Sequence, residues 1–383
     1  MTTELNQKSR AWAEIDLGAL LSNYTYAKEK SGRPVMCVVK ANAYGHGAVR
    51  CAKFLQQHGA DAFAVASLAE AIELRGAGIT QRILILGYTD PGCGALLARH
   101  DLMQTVLDEE HASQLSQNAA QNGYMAMVHI KVDTGMTRTG LYAQGETYRL
   151  SAAEAAERIC RLPHLSVKGI YTHFAAADTP DEIEFTGWQL QNFRFVIDHL
   201  TQCGLKPEVC HASNSAAIMA RPDAGLDMVR EGIMLYGLYP DSQPHEDGPL
   251  KPVMTLKAVV GQVRDIPAGA TVSYGRTYKC DAPQSIATVL AGYADGYSRR
   301  LSGKGYAVIR EKKYAQVGRV CMDMHMVDVT GGGAVSRGDE AILWGAGGMS
   351  VEVAANIVGT INYELVSLVT NRCERVYLYP EGT

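Results

Sequence analysis

The chain has 383 residues, 47% of them hydrophobic and 20% charged, with a net charge of −4. That balance describes a globular protein about twice the length of an ordinary domain and excludes a disordered one. Basic residues are spread along the chain, so neither nucleic acid nor an anionic membrane surface is an expected partner. No run approaches the roughly 18 apolar residues of a membrane span. The opening MTTELNQKSRAW lacks the apolar stretch of a signal peptide. Nine cysteines (Cys37, Cys51, Cys93, Cys160, Cys203, Cys210, Cys280, Cys321 and Cys373) include no CxxC pair. Free, buried thiols in a reducing compartment are expected, which means a cytoplasmic protein.

In chain order, short apolar runs alternate with longer amphipathic segments through the first two thirds. The runs are 35–40, 62–67, 83–88, 102–107, 127–132, 167–174, 207–213 and 228–237. Near-continuous apolar runs suit parallel strands buried on both faces. Between them SLAEAIELRGAG, AEAAERICRL and EFTGWQLQNFRFVIDHL carry apolar residues at spacings of three and four, the helical period. Eight such units predict an α/β fold, an eight-stranded β/α (TIM-like) barrel over residues 1–240. The Pro-, Gly- and charge-rich stretch 239–252 reads as a linker. Closely spaced strands follow, ATVSYGRTY (270–278) among them, then one helix over 351–370 and a last strand, RVYLY. Residues 241–383 are therefore expected to form a mainly β C-terminal domain.

Barrel sites sit at the C-terminal ends of the strands, often with a phosphate held after strands 7 and 8. Strand 1 ends at Lys40, strand 5 runs through Lys131 to Arg138, and strand 6 ends at His173. Strand 7 leads to Asn214 and Ser215, and strand 8 carries Arg230 before Gly232 and Ile233. Small and hydroxyl residues there can offer N–H groups to a phosphate. A desolvated lysine facing a phosphate-bearing aldehyde suggests a Schiff base. Taken alone, a lysine at a strand end is more often a surface group. His46, His173 and His211 lie on separated loops without a short ligand spacing, so no metal is expected.

The segments VVKANAYGHG (38–47), KVDTGMTRTG (131–140), GIYTHFAAAD (169–178), HASNSAAI (211–218) and MVREGIMLYG (228–237) resemble those of the alanine racemase family. So do VSYGRTY (272–278), GYADGYSR (292–299), GRVCMDM (318–324) and GTINYE (359–364). The resemblance covers nearly the whole chain in the family's order and spacing. It implies pyridoxal 5'-phosphate as cofactor and a homodimer with shared active sites. Lys40 would carry the cofactor and act as one catalytic base; Tyr274, from the other subunit, would be the second. Arg230 would sit against the pyridine nitrogen, with His173 near the ring. Tyr44, Asn214, Ser215, Gly232, Ile233 and Tyr363 would hold the cofactor, chiefly at its phosphate. Arg138 and, from the other subunit, Met322 would contact the substrate, Tyr293 would line the entrance, and the residue matching Lys131 is carbamylated in many members.

Two bases on opposite faces of a flat adduct invert Cα without turning it. A phenol with an ordinary pKa near ~10 needs help from its neighbours to serve as one of them. Interconversion of L- and D-alanine, supplying D-alanine for peptidoglycan, is the expected function. Serine racemisation by the same machinery, an amino-acid decarboxylase and a non-catalytic cofactor carrier are the alternatives.

Overall fold

The computed structural model describes residues 9–245, 247–333 and 335–380. These divide into two compact units. One holds Leu21–Ala43 and Ala48–Leu235; the other takes in the chain up to Leu20, the stretch Tyr44–Gly47 and everything from Tyr236 onward.

The first unit is the expected parallel barrel. Its strands run in the order Val229–Glu231, Val35–Val38, Ala62–Val65, Arg82–Ile85, Met103–Val106, Ala126–Asp133, Leu165–Tyr171 and Val209–His211. A parallel bridge from His211 to Met228 brings the eighth strand back beside the seventh. Alongside it Arg230 N–H donates to Ser213 O at 2.9 Å. Strands such as VMCV and AFAV are buried at every position, because helices cover the face that the interior does not. The helix Glu146–Cys160 turns Ala152, Ala153, Ala155, Ala156 and Ile159 inward, small side chains that permit close packing. Ser67 and Asp108 accept N–H groups at two helix starts, the ordinary way of satisfying those donors.

The second unit is mainly β. Its sheet runs Gln284–Val289, His325–Asp328, Lys312–Val317, Tyr306–Ile309, Glu340–Trp344, Met254–Ile266, Ala11–Asp16 and Glu374–Leu378. Gln284–Val289 also pairs with Met254–Ile266, so the first six strands close on themselves. The long strand pairs with three others, and its register against Gln284–Val289 shifts between Val260 and Gln262. Gly261 sits at the shift, where a Cβ would come 2.6 Å from Leu290 Cδ2.

Three expectations need correction. Residues 11–16 were expected with the barrel, yet Ala11–Asp16 pairs antiparallel with Met254–Ile266 and parallel with Glu374–Leu378. The helix expected over 351–370 is two helices, Val351–Val358 and Asn362–Ser367. Gly359 ends the first in the left-handed region, at φ 78°. The segment 270–278 is not one strand but two short ones, Thr271–Val272 and Tyr278–Lys279, about a turn. Ser273, Gly275 and Arg276 in that turn all have positive φ. Among the described residues, no helix is long and apolar enough to cross a membrane.

Candidate active site

Lys40 leaves the first barrel strand into an unusual backbone. Ala41, Asn42, Ala43 and Tyr44 have φ of 51°, 53°, 55° and 51°, a left-handed turn without a glycine. Each such residue costs roughly 1–2 kcal/mol, and strain of this kind persists only where the surroundings enforce it. Three hydrogen bonds do so. Ala43 N–H reaches Val39 O at 2.9 Å, Asn42 Oδ1 accepts Ala48 N–H at 2.9 Å, and Glu70 Oε1 accepts Ala41 N–H at 2.7 Å. The second Glu70 oxygen accepts Ala66 N–H at 2.7 Å, tying the lysine turn to the end of the neighbouring strand. Burial and the Arg138 charge lower the Lys40 amine, against Glu70. A lowered amine is the state in which lysine serves as nucleophile or base.

Arg230 is buried beside Lys40's end of the barrel and has no carboxylate partner among the described residues. Its guanidinium donates to Thr172 O at 2.7 Å, to Ala212 O at 2.8 Å and to His211 Nδ1 at 2.8 Å. A guanidinium can only donate, so Nδ1 of His211 accepts and its proton resides on Nε2. That Nε2 lies 3.0 Å from His129 Nδ1, which must accept in turn. Arg230, His211 and His129 thus form a directed chain of neutral imidazoles behind one cation. Burial pushes Arg230 down to about 10, leaving it charged at neutral pH. Burial and the Arg230 charge hold His211 and His173 well below the ordinary imidazole range. His129, desolvated and facing Arg82 and Arg230, is held at about 3.

Lys131 is buried, and its amine has no hydrogen-bond partner. It lies 4.8 Å above the Tyr171 ring, and burial plus Arg230 push it well below the usual amine range. Asp133, two residues on, anchors the following loop through the N–H groups of Gly135, Thr137 and Arg138 at 2.8–3.0 Å. Burial resists ionisation of Asp133, but those three donors and Lys131 outweigh it and lower the carboxyl. Ser215 Oγ accepts Gly232 N–H at 3.0 Å and Met234 N–H at 3.3 Å, joining the loops after the last two strands. Asn214 caps the short helix beside it through Ala217 N–H.

Lys40, Lys131, Arg138, His173, Asn214, Ser215, Arg230, Gly232 and Ile233 therefore all occupy C-terminal strand ends or the loops after them. Four cationic side chains influence one another there, while the nearby carboxylates of Asp133 and Glu70 are both taken up by backbone amides. Such a concentration of uncompensated cation fits an anionic occupant. A phosphate-bearing cofactor and a carboxylate substrate have the required charge, so the residues present fit pyridoxal phosphate.

The remaining residues belong to the β-rich unit. Tyr44 packs its ring 5.0 Å from that of Tyr236 and 6.2 Å from that of Tyr363. Tyr274 stands on the strained turn, 69% exposed. Ser273 Oγ donates to Arg319 O at 2.6 Å and lies 3.5 Å from Cys321 Sγ, which couples the Tyr274 turn to the segment carrying Met322. Ala294 N–H holds Met322 O at 3.0 Å, so the Met322 peptide is fixed although its side chain is exposed. Tyr293 and Met324 are also exposed there. His129, Glu70 and the link from His211 to Arg230 escape a reading by strand ends. A histidine inside the apolar run MVHIKV was their one visible signal.

Models of known families match both units: "Alanine racemase, N-terminal domain" over residues 15–240 and "Alanine racemase, C-terminal domain" over 253–377. An alanine racemase of Carboxydothermus hydrogenoformans is 43% identical over 372 residues, spanning 96% of this chain and 99% of that protein. One of Desulforamulus reducens is 44% identical over 375 residues, spanning 97% and 100%. The solved alanine racemase of Clostridium difficile 630 superposes with a TM-score of 0.90 at 38% identity, covering 98% of this chain and 97% of that one.

Proposed function

We infer the chemistry of this site from the premise that the chain belongs to the alanine racemase family. Its reaction class is accordingly amino-acid racemisation, an isomerase activity with alanine as substrate. We propose that it interconverts L- and D-alanine in the cytoplasm by a two-base mechanism, and that the D-alanine serves peptidoglycan synthesis.

Pyridoxal phosphate, when bound, supplies an electron sink that makes the Cα–H of an attached amino acid acidic. Lys40 would carry it, Arg230 would meet its ring nitrogen and His173 would pack beside the ring. Tyr44, Asn214, Ser215, Gly232, Ile233 and Tyr363 would hold it, chiefly at the phosphate. The Lys40 amine then takes or returns the α proton on one face. The phenol of Tyr274, contributed by a second copy of the chain, serves the other. That role motivates a homodimer, because an exposed tyrosine on a rigid turn has no work to do at its own surface. Arg230, cationic and backed by neutral imidazoles, can only donate, and toward a ring nitrogen it would favour the unprotonated form. Restraining the electron sink in this way favours simple proton exchange over transamination. Arg138 would bind the substrate carboxylate together with the Met322 N–H of the second copy, and Tyr293 would line the entrance. Lys131, its amine lowered and without a hydrogen-bond partner, is suited to add carbon dioxide as a carbamate, releasing one proton and placing an anion beside Arg138.

The observation that carries this reading is the uncompensated cation cluster around a lowered lysine amine at the barrel mouth. The test is a visible spectrum of the purified chain with assays on L-alanine, D-alanine and L-serine. Interconversion of alanine in both directions, with a visible cofactor band lost in Lys40→Ala, is expected. Absence of a band after adding pyridoxal phosphate would overturn it, and a band with turnover of serine alone would reassign the substrate.

A further inference from the structure

Two neighbouring helices of the barrel unit, Glu146–Cys160 and Ile183–Gln202, follow the fifth and sixth strands. Close to their C-terminal ends three side chains of different chemistry converge. His199 Nε2 lies 2.9 Å from Glu157 Oε2. Cys203 Sγ donates to the same oxygen at 3.4 Å and stands 3.9 Å from His199 Nε2. All three residues are half-buried. Helices of a β/α barrel run back against their strands, so these ends lie at the face opposite the catalytic mouth. Nothing in the racemisation chemistry uses them.

We propose that Glu157, His199 and Cys203 form a zinc site, completed by a water molecule, that clamps these two helices together. His199 and Cys203 are four residues apart, which puts them on one face of a helix. Imidazole, thiolate and a single carboxylate oxygen are all ordinary zinc ligands. Ordinary zinc bond lengths at tetrahedral angles would place the N···O, S···O and S···N pairs about 3.3, 3.5 and 3.6 Å apart. The observed 2.9, 3.4 and 3.9 Å need only small rotations to reach those values. The carboxylate is already oriented: its other oxygen accepts Arg161 Nε and Nη2 at 3.2 and 2.9 Å, leaving Oε2 for the ion. Such outer contacts aim metal ligands. One carboxylate and one thiolate also balance the charge of a divalent cation.

The proton balance is simple. Hydrogen bonds from His199, Arg161 and Cys203 hold Glu157 at about 2, so it stays ionised. Burial, then Glu157, raises the Cys203 thiol. Zinc binding therefore displaces the thiol proton to solvent, while His199 binds as neutral imidazole through Nε2. Affinity should fall as the pH is lowered. His46, His173 and His211 take no part.

The test uses the intact, cofactor-loaded protein after chelator treatment, with Zn²⁺ in calorimetry and Co²⁺ as a spectroscopic probe. One site per chain is expected, with a thiolate-to-cobalt charge-transfer band and one proton released per ion. Cys203→Ser, His199→Ala and Glu157→Gln should each lose more affinity than the ~10–100-fold cost of removing an outer contact. Alanine turnover in Cys203→Ser should match the parent. Failure of the parent to bind Zn²⁺ with a Kd of about 1 μM or tighter would overturn the proposal. Persistence of the charge-transfer band in Cys203→Ser, showing that another of the nine cysteines holds the ion, would do the same.

Discussion

Replacing Glu231 by Gln should change how the stability of the chain depends on pH, more than it changes the stability itself. Glu231 follows Arg230 in the last barrel strand and pairs in register with Cys37. It is fully buried, and neither carboxyl oxygen has a hydrogen-bond partner. Strand alternation turns it away from Arg230, toward Cys37 and the helix residue Tyr24, whose ionisation its charged form would oppose. Burial pushes its carboxyl well above the usual range, so the folded chain keeps a proton that the unfolded chain loses near pH ~4.3. Stability from this group is complete below that pH and drains away as the pH rises toward the folded value. The slope is about 1.4 kcal/mol per pH unit. Gln keeps the shape and cannot titrate; its amide adds a constant offset but no slope. Urea unfolding at fixed protein and cofactor concentration should show the mutant gaining about 1.4 kcal/mol on the parent between pH 5 and pH 6. Parallel stabilities over that interval would refute the neutral, buried acid.

Gly169→Ala should cost about 1–3 kcal/mol by overpacking, since the new Cβ would stand 2.4 Å from His129 Cε1. Because His129 supports His211 and through it Arg230, kcat should fall with stability, and a variant with normal melting and normal turnover would contradict that chain. Ala41→Gly should stabilise the protein by about 0.5–1 kcal/mol, the relief of left-handed strain less the entropy of the freer unfolded chain. Ala41 is exposed, so little packing is lost, and thermal melting that moves downward would show that the turn is not strained.

The barrel was readable because its strands are covered on both sides, which leaves runs such as AFAV and VMCV with no polar interruption. The start of the chain was not readable in the same way. AWAEID alternates, as a half-covered strand must, but its partners lie beyond residue 250 and nothing local names them. The Lys40 turn was hidden for another reason: Ala and Tyr are poor candidates for positive φ, and one of the bonds that hold the turn comes from Glu70, 29 residues further along the chain. Strand ends nominated Lys40, Lys131, His173 and Arg230, while Tyr274, Met322 and Tyr293 came from family resemblance alone. Their framework, Ser273 bonded to Arg319 across 46 residues of sequence, leaves no periodic trace. Helix 351–370 failed at Gly359, where a backbone preference outweighed an apolar pattern that continued past it.

The pairing of Ala11–Asp16 also bears on how the protein is made. That strand leaves the ribosome well before its neighbours, Met254–Ile266 and, later still, Glu374–Leu378. At ~5–20 residues per second, the nascent chain carries it for about 10–50 s before either neighbour is available. Throughout that interval both of its edges are open, and an open edge is a template for joining another chain. Glu14 and Asp16 give the hexapeptide some charge against that hazard. Six residues thus wait unpaired for a place that is prepared only after the whole barrel has been translated.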